Sequence, residues 1–361
     1  MNILLVKLSS LGDVVHTLPV LQDIRAALPD AQIDWALEPA FAPLLAGHPD
    51  VRRVLPCALR RWRTSPLAAS TRAEWRAFKA DLQRTPYDAI IDLQGLSKSA
   101  LVSRLARLAP GGLRYAMANA TDGSGYEAPT RWAADVAIAM PPRVHAVQRG
   151  RLLAAAALGY SLKQTVLPLY FGIKQAEASG FHTNSAIKLN KLNELTANKG
   201  SVVLIHGTSR ADKQWPLAHW VALGQRLLAS GYGIALVHGN ASELATSQAI
   251  AEGLASAANT PPITLLPLMA LDALAHTLSQ CAGAIGVDSG VSHIAVALGL
   301  PHVQLYNFDT AWRTGPVNTA QQVSVYAQPT PTADAVWLAW LSCAAAACAT
   351  TAPAVPQQAG A

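Results

Sequence analysis

Short apolar runs rich in β-branched residues alternate with helix-period segments along almost the whole chain. That alternation is the pattern of strands feeding crossover helices into a parallel sheet. In the first half the runs are residues 3–8, 33–37, 51–55 and 89–93, with helical patterns at 20–28 and 72–83. In the second half they are 202–205, 234–238, 263–266, 284–287 and 303–306, separated by helices such as 217–229. At 361 residues the chain exceeds what one hydrophobic core usually organises, so the pattern predicts an α/β protein of two doubly wound domains. Residues 1–172 make the first domain and 201–333 the second. A linker or insertion rich in Lys, Asn, Ser and Thr fills 173–200.

Residues 335–352 are uncharged and about as long as the shortest membrane-spanning helices. Most of them are Ala, Ser, Thr and Cys, which gain little from lipid. The expectation for 334–361 is a helix packed on the body through Val336, Trp337, Trp340 and Leu341, then a disordered tail. Four scattered cysteines without Cys-x-x-Cys spacing fit a reducing compartment, and the opening strand lacks the pattern of a secretory leader. A cytoplasmic location is expected. The net charge of +6 favours anionic partners, but the basic residues form no nucleic-acid module, so nucleic acid is excluded as a partner.

In an open α/β sheet, ligands bind beyond the carboxyl ends of the strands. The first strand ends in Lys7-Leu-Ser9-Ser10-Leu-Gly12-Asp13, which delivers one acid to the start of a helix. Asp13 reads either as an N-cap or as a catalytic acid/base at the ligand edge. Pro19 breaks a helix running on from Asp13, so a kink or a fresh start at Pro19 is expected. Arg60, Arg61 and Arg63 flank Trp62 in a basic run suited to carboxylate or phosphate recognition, with Lys7 and Lys98 near strand ends. Residues 117–130, containing Asp-Gly-Ser-Gly, read as a mobile loop.

In the second half, His206-Gly-Thr208-Ser209-Arg-Ala-Asp-Lys213 follows a strand and offers two hydroxyls and an ammonium to a phosphate. A solvated lysine before a helix start is the plainer reading. Asp288-Ser289-Gly290 follows another strand and opens a helix whose free N–H groups favour an anion, with His293 one turn in. Asp288 there can accept hydrogen bonds from sugar or ribose hydroxyls, or one of these residues simply caps the helix. Glu243, beyond His238-Gly-Asn, is placed to reach a ribose diol. The glycine fingerprints of dehydrogenases and P-loop NTPases are missing, as are Gly-x-Ser-x-Gly, His-Glu-x-x-His and Asp-x-Asp.

Taken together, Lys7-Leu-Ser-Ser-Leu-Gly-Asp-Val-Val-His-Thr-Leu-Pro, Arg60-Arg-Trp-Arg, the run from Tyr87 to Ala100, the His206–Pro216 motif and Val287-Asp-Ser-Gly-Val-Ser-His resemble the bacterial lipopolysaccharide heptosyltransferases. The resemblance covers most of 1–110 and 200–306. It implies a GT-B fold of two facing Rossmann-like domains with a cleft between them. It also implies a metal-independent, inverting transfer of L-glycero-D-manno-heptose from ADP-heptose to the first Kdo of Kdo2-lipid A, without a cofactor. Asp13 is then the base and Lys213 the group that neutralises the leaving diphosphate. Thr208, Ser209, Glu243, Met269, Asp288, Ser289, Gly290 and His293 hold the donor. Ser9, Ser10, Lys7, Arg60, Arg61, Arg63 and Lys98 hold the acceptor. Peripheral contact with an anionic membrane, on the cytoplasmic face of the inner membrane, follows from the lipid acceptor. Other readings are a related transferase adding a later heptose or another sugar, and a non-catalytic nucleotide-sugar binding protein. The chain departs from the family after its last expected strand, where Tyr306-Asn-Phe-Asp-Thr replaces Tyr-Gly-Pro-Thr.

Overall fold

The computed structural model describes residues 1–162, 171–173, 200–255, 261–317 and 320–351. The linker expected at 173–200 lies outside them except at its ends, as does the tail beyond 351. Contacts divide the chain into two compact units. One is Met1–His182 with Met269–Thr277 and Trp312–Thr314, and the other is Thr183–Leu268 with Leu278–Ala311 and Gly315–Ala361.

The first unit holds β1 (Asn2–Val6), β2 (Gln32–Leu37), β3 (Arg53–Pro56), β4 (Tyr87–Asp92), β5 (Leu108–Met117) and β6 (Val136–Ile138). They pair in the order β3-β2-β1-β4-β5-β6, every pair parallel. Leu5 stands opposite Trp35 of β2 on one side and Ile91 of β4 on the other, and Ile3 to Val6 are all fully buried, so β1 is covered on both faces and its apolar run is continuous. The second unit holds β7 (Ser201–Ile205), β8 (Gly233–Leu236), β9 (Ile263–Leu265), β10 (Gly283–Val287), β11 (His302–Tyr306) and β12 (Gln322–Tyr326). Their order is β12-β11-β10-β7-β8-β9, which is the same Rossmann arrangement read from the other edge. In each sheet the chain reverses its direction of winding between the first and fourth strands. The carboxyl ends of β1 and β4, and of β7 and β10, are therefore the places where ligands bind in such sheets.

Local chemistry explains the departures from the sequence reading. β1 stops at Val6, because Lys7 and Leu8 turn into the following loop while staying buried. Strand β5 was not expected, since Pro110-Gly111-Gly112 punctuates it, and β6 and β12 are short or half-exposed. The helix Leu11–Thr17 ends at Leu18 and a second helix, Pro19–Ala27, begins with proline at its first position. The segment 117–130, expected to be a mobile loop, is hydrogen-bonded to its surroundings. Tyr126 Oη donates to the Ala118 carbonyl (2.8 Å), Glu127 N to the Gly95 carbonyl (2.9 Å), and Thr121 and Thr130 are buried.

The terminal helix Ala333–Thr351 packs on the second unit through Val336, Trp340 and Cys343, all fully buried, with Trp337 partly covered. Leu341, expected in this contact, is instead exposed, because it lies on the helix face away from Trp340. Gly283 makes the docking possible, since a Cβ there would stand 2.6 Å from the Trp340 ring and 2.6 Å from the Pro301 carbonyl oxygen. No helix among the described residues is long and apolar enough to cross a membrane. Trp340→Ala is expected to lower stability by about 3–5 kcal/mol in urea denaturation, the cost of an unfilled aromatic site. Leu341→Ala is expected to change it by less than about 0.5 kcal/mol.

Candidate active site

At the first switch point, the β4 loop shapes the β1 loop. Asp92, the last residue of β4, accepts the N–H groups of Gln94 (2.9 Å) and Gly95 (3.1 Å) and the Ser99 hydroxyl (2.9 Å). Burial pushes its carboxyl up to about 6 against those hydrogen bonds. The turn so formed aims Gln94 Oε1 at the backbone N–H groups of Leu8 and Ser9, each at 3.0 Å. Lys7 Nζ, almost fully buried, donates to the Leu93 carbonyl at 3.0 Å and stands 3.5 Å from Asp13 Oδ1. Asp13 occupies the third position of its helix, where Oδ2 receives the Ser10 N–H (3.2 Å) and hydroxyl (3.0 Å). It is thus the acid of a capping box, with Ser10 as the cap residue, and its other oxygen is left for the cations.

Arg149, on the helix Ala146–Leu158, brings the second cation: Nη2 is 3.8 Å from Asp13 Oδ1, and Nη1 donates to Thr121 Oγ1 at 3.1 Å. Burial opposes ionisation of Asp13. The charges of Lys7, His16 and Arg149 and the Ser10 backbone bond outweigh it, so the carboxyl is held well below the usual carboxylate range. Burial, opposed by Asp13, pulls the Lys7 ammonium down. The Asp13 side chain nevertheless keeps 35% of its surface open, whereas Lys7 keeps 4%. Lys7 therefore acts on Asp13 from beneath.

The remaining acceptor candidates are spread around this centre. Ser9 is buried and its hydroxyl accepts from Lys98 Nζ at 2.6 Å. Arg60, Arg61 and Arg63 lie exposed on the helix Leu59–Thr64, with Trp62 turned into the core. Arg61 pairs with Glu74.

At the second switch point, Lys213 Nζ from the β7 loop meets Asp288 Oδ2 from the end of β10 at 2.5 Å. His293 Nε2 stands 3.3 Å from Asp288 Oδ1, and Gln304 donates to the same oxygen at 3.4 Å. Burial raises the Asp288 carboxyl, but His293 and Lys213 pull it far below its ordinary range. Asp288 is buried and engaged on both oxygens, so it holds Lys213 in place. Ser289 sits at the cap position of the helix Gly290–Ala297 without a side-chain capping bond. Thr208 is half-buried and Ser209 exposed beside it in the β7 loop.

Glu243, in the first turn of the helix Ala241–Leu254, accepts the Gly239 N–H at 2.7 Å. A Cβ on Gly207 would lie 2.7 Å from its carboxyl carbon, so glycine lets the β7 and β8 loops meet over Glu243. Met269 is grouped with the first unit, unlike the other donor candidates.

Sequence reasoning missed Asn307, which stands in the segment that departs from the family. Its Nδ2 donates to the carbonyls of Asp212 (2.9 Å) and Gln214 (3.0 Å), and Thr330 donates to its Oδ1 at 2.7 Å. Asn307 therefore braces the turn that carries Lys213.

Two Rossmann-like sheets of identical strand order, each with charged side chains gathered at its switch point, define a glycosyltransferase of the GT-B class. The model of glycosyltransferase family 9 (heptosyltransferase) matches residues 75–336, and the chain belongs to that family. It is 37% identical over 308 residues to lipopolysaccharide heptosyltransferase 1 of Escherichia coli (strain K12), covering 85% of this chain and 88% of that one. Among solved structures it is similar to E. coli heptosyltransferase WaaC with ADP, at a TM-score of 0.76 and 33% identity, over 93% of this chain and 98% of that chain. A structure of E. coli WaaC with ADP-2-deoxy-2-fluoro heptose matches with a TM-score of 0.71, 33% identity and the same coverage.

Asp13 is expected to stay ionised in acid that protonates an ordinary aspartate near 3.8. Its folded pKa is depressed, so the stability it contributes is present above about pH 4 and is lost only as the pH falls through that depressed value. Carboxyl-detected NMR titration checks this, and Arg149→Met should move the Asp13 midpoint up toward the ordinary aspartate range.

Proposed function

We propose that this protein transfers L-glycero-D-manno-heptose from ADP-heptose to the first Kdo of Kdo2-lipid A, with inversion at the anomeric carbon and without a metal. The observation that carries the reading is Asp13, an ionised and partly open carboxylate at the switch point of the first sheet, steadied by Ser10, Lys7 and Arg149. Similarity to a heptosyltransferase solved with ADP and with an ADP-heptose analogue supports the donor.

In this mechanism Asp13 accepts the proton of the acceptor hydroxyl as its oxygen attacks the anomeric carbon opposite the departing ADP. The bond from that carbon to the diphosphate oxygen breaks, and the electron pair leaves with ADP. A depressed pKa makes Asp13 a weak base. Positioning offsets this, because the proton moves late, once bond formation has made the hydroxyl acidic. Lys213 keeps two of its three N–H groups for the diphosphate while Asp288 holds the third. Thr208, Ser209 and the N–H groups at Ser289 and Gly290 add neutral donors. Glu243 takes the ribose hydroxyls, and backbone near Met269 takes the adenine. Arg60, Arg61, Arg63 and Lys98 meet the carboxylates and phosphates of the acceptor. Since that acceptor is a lipid, the protein works in peripheral contact with the cytoplasmic face of the inner membrane.

The test is ADP release with ADP-heptose and de-acylated Kdo2-lipid A. Asp13→Ala is expected to lower turnover about 10²- to 10⁴-fold with little change in acceptor KM, the value of a positioned base. Lys213→Met is expected to cost on the order of 10²-fold in kcat/KM for the donor. EDTA should leave the wild-type rate unchanged. Absence of acceptor-dependent release by the wild type would overturn the assignment of donor and acceptor.

A further inference from the structure

We propose that the groove between the helices Leu59–Thr64 and Ala69–Arg84 binds an anionic phospholipid, with one acyl chain in the groove and the phosphate between Arg72 and Arg76. The groove encloses about 420 Å³, within the range of small-ligand sites. Leu59, Trp62, Arg63 and Pro66 line one side and Thr71, Arg72, Trp75 and Arg76 the other. On each helix these residues follow the spacing of a single face. The apolar surface is indole and aliphatic. Trp62 and Trp75 meet edge to face at 5.5 Å, and Glu74 holds the Trp62 N–H at 2.8 Å, which fixes the rings as a floor. Leu67, in the connection between the helices, is 82% exposed.

Charge on the rim selects the head group. From residue 59 to 79 the chain carries six basic side chains, Arg60, Arg61, Arg63, Arg72, Arg76 and Lys79, against one acid, Glu74. Glu74 is already taken by Arg61 and Trp62. The guanidinium groups of Arg63, Arg72 and Arg76 are exposed, and no acid pairs with them among the described residues. Free phosphate leaves the apolar floor unused, whereas an acyl chain with an anionic head uses both the floor and the basic rim. Arg60 and Arg61 do not line the groove, and Arg72 and Arg76, which hold the phosphate, lie outside the acceptor run; Arg63 alone stands between the two. The proposal therefore concerns a lipid of the surrounding surface rather than the acceptor itself. It rests on the reading above only for the presence of a membrane.

The experiment is co-sedimentation of the full chain with phosphatidylcholine vesicles containing dibrominated phosphatidylglycerol, with tryptophan quenching read in parallel. The wild type should bind, and its fluorescence should be quenched. Arg72→Ala with Arg76→Ala should weaken binding about thirtyfold, the effect of two cations at an anionic surface. Trp75→Phe should keep binding but lose part of the quenching. Both variants should retain wild-type turnover with the de-acylated acceptor. Vesicle binding needs neither donor nor acceptor, so it stays readable if the transferase reading fails, with circular dichroism then reporting the fold. Equal affinity in the double variant, quenching unchanged by Trp75→Phe, or glycerophosphate binding as tight as that of vesicles would each overturn the proposal.

Discussion

A lysine buried at the carboxyl end of the central strand sets the terms for the first unit. An ammonium removed from water is costly unless it is paired and hydrogen-bonded. Lys7 meets that demand with the Leu93 carbonyl at the end of β4 and with Asp13 above it. One side chain thereby fastens the two strands that flank the switch point and fixes where the Asp13 carboxylate stands. Arg149 completes the charge balance from the far side, and Ser10 occupies the remaining oxygen. The result is a carboxylate that stays ionised and oriented while a third of it faces outward.

The second unit solves a related problem with the polarity reversed. There the buried partner is the acid, Asp288, and the more open partner is the base, Lys213. His293 and Gln304 hold Asp288 from below, and Asn307 holds the backbone of the turn that bears Lys213. In both units the more open charge rests on a buried counter-charge at a Rossmann switch point. One unit presents a negative group suited to accepting a proton and the other a positive group suited to a departing diphosphate.

Much of this was legible in the sequence because parallel strands buried on both faces write themselves as uninterrupted apolar runs. Residues 3–6, 202–205 and 284–287 are of that kind. Strands β5 and β6 escaped for the converse reason. β5 is broken by Pro110, Gly111 and Gly112, while β6 is three residues long and mostly exposed. Strand ends also identified Asp13, Lys213 and Asp288 as candidates, since small polar residues after an apolar run stand out. What the pattern did not contain was pairing. That Asp288 faces Lys213 and Lys7 lies under Asp13 depends on contacts across 75 residues in one case and on the depth of a turn in the other. Arg149 left no signal at all, because an arginine in an Ala-rich helix reads as surface until its burial is seen. Asn307 showed only as a departure from a family pattern, and its bonds to Asp212 and Gln214 give that departure a structural purpose.

The most direct test of the account is the structure of the product. NMR of the compound made by the wild type from ADP-heptose and de-acylated Kdo2-lipid A gives both the anomeric configuration of the new bond and the residue that carries it. The account predicts a single heptose on the first Kdo, with configuration opposite to that of the donor. Retained configuration would contradict single displacement assisted by Asp13, and a heptose attached elsewhere would contradict the assigned acceptor.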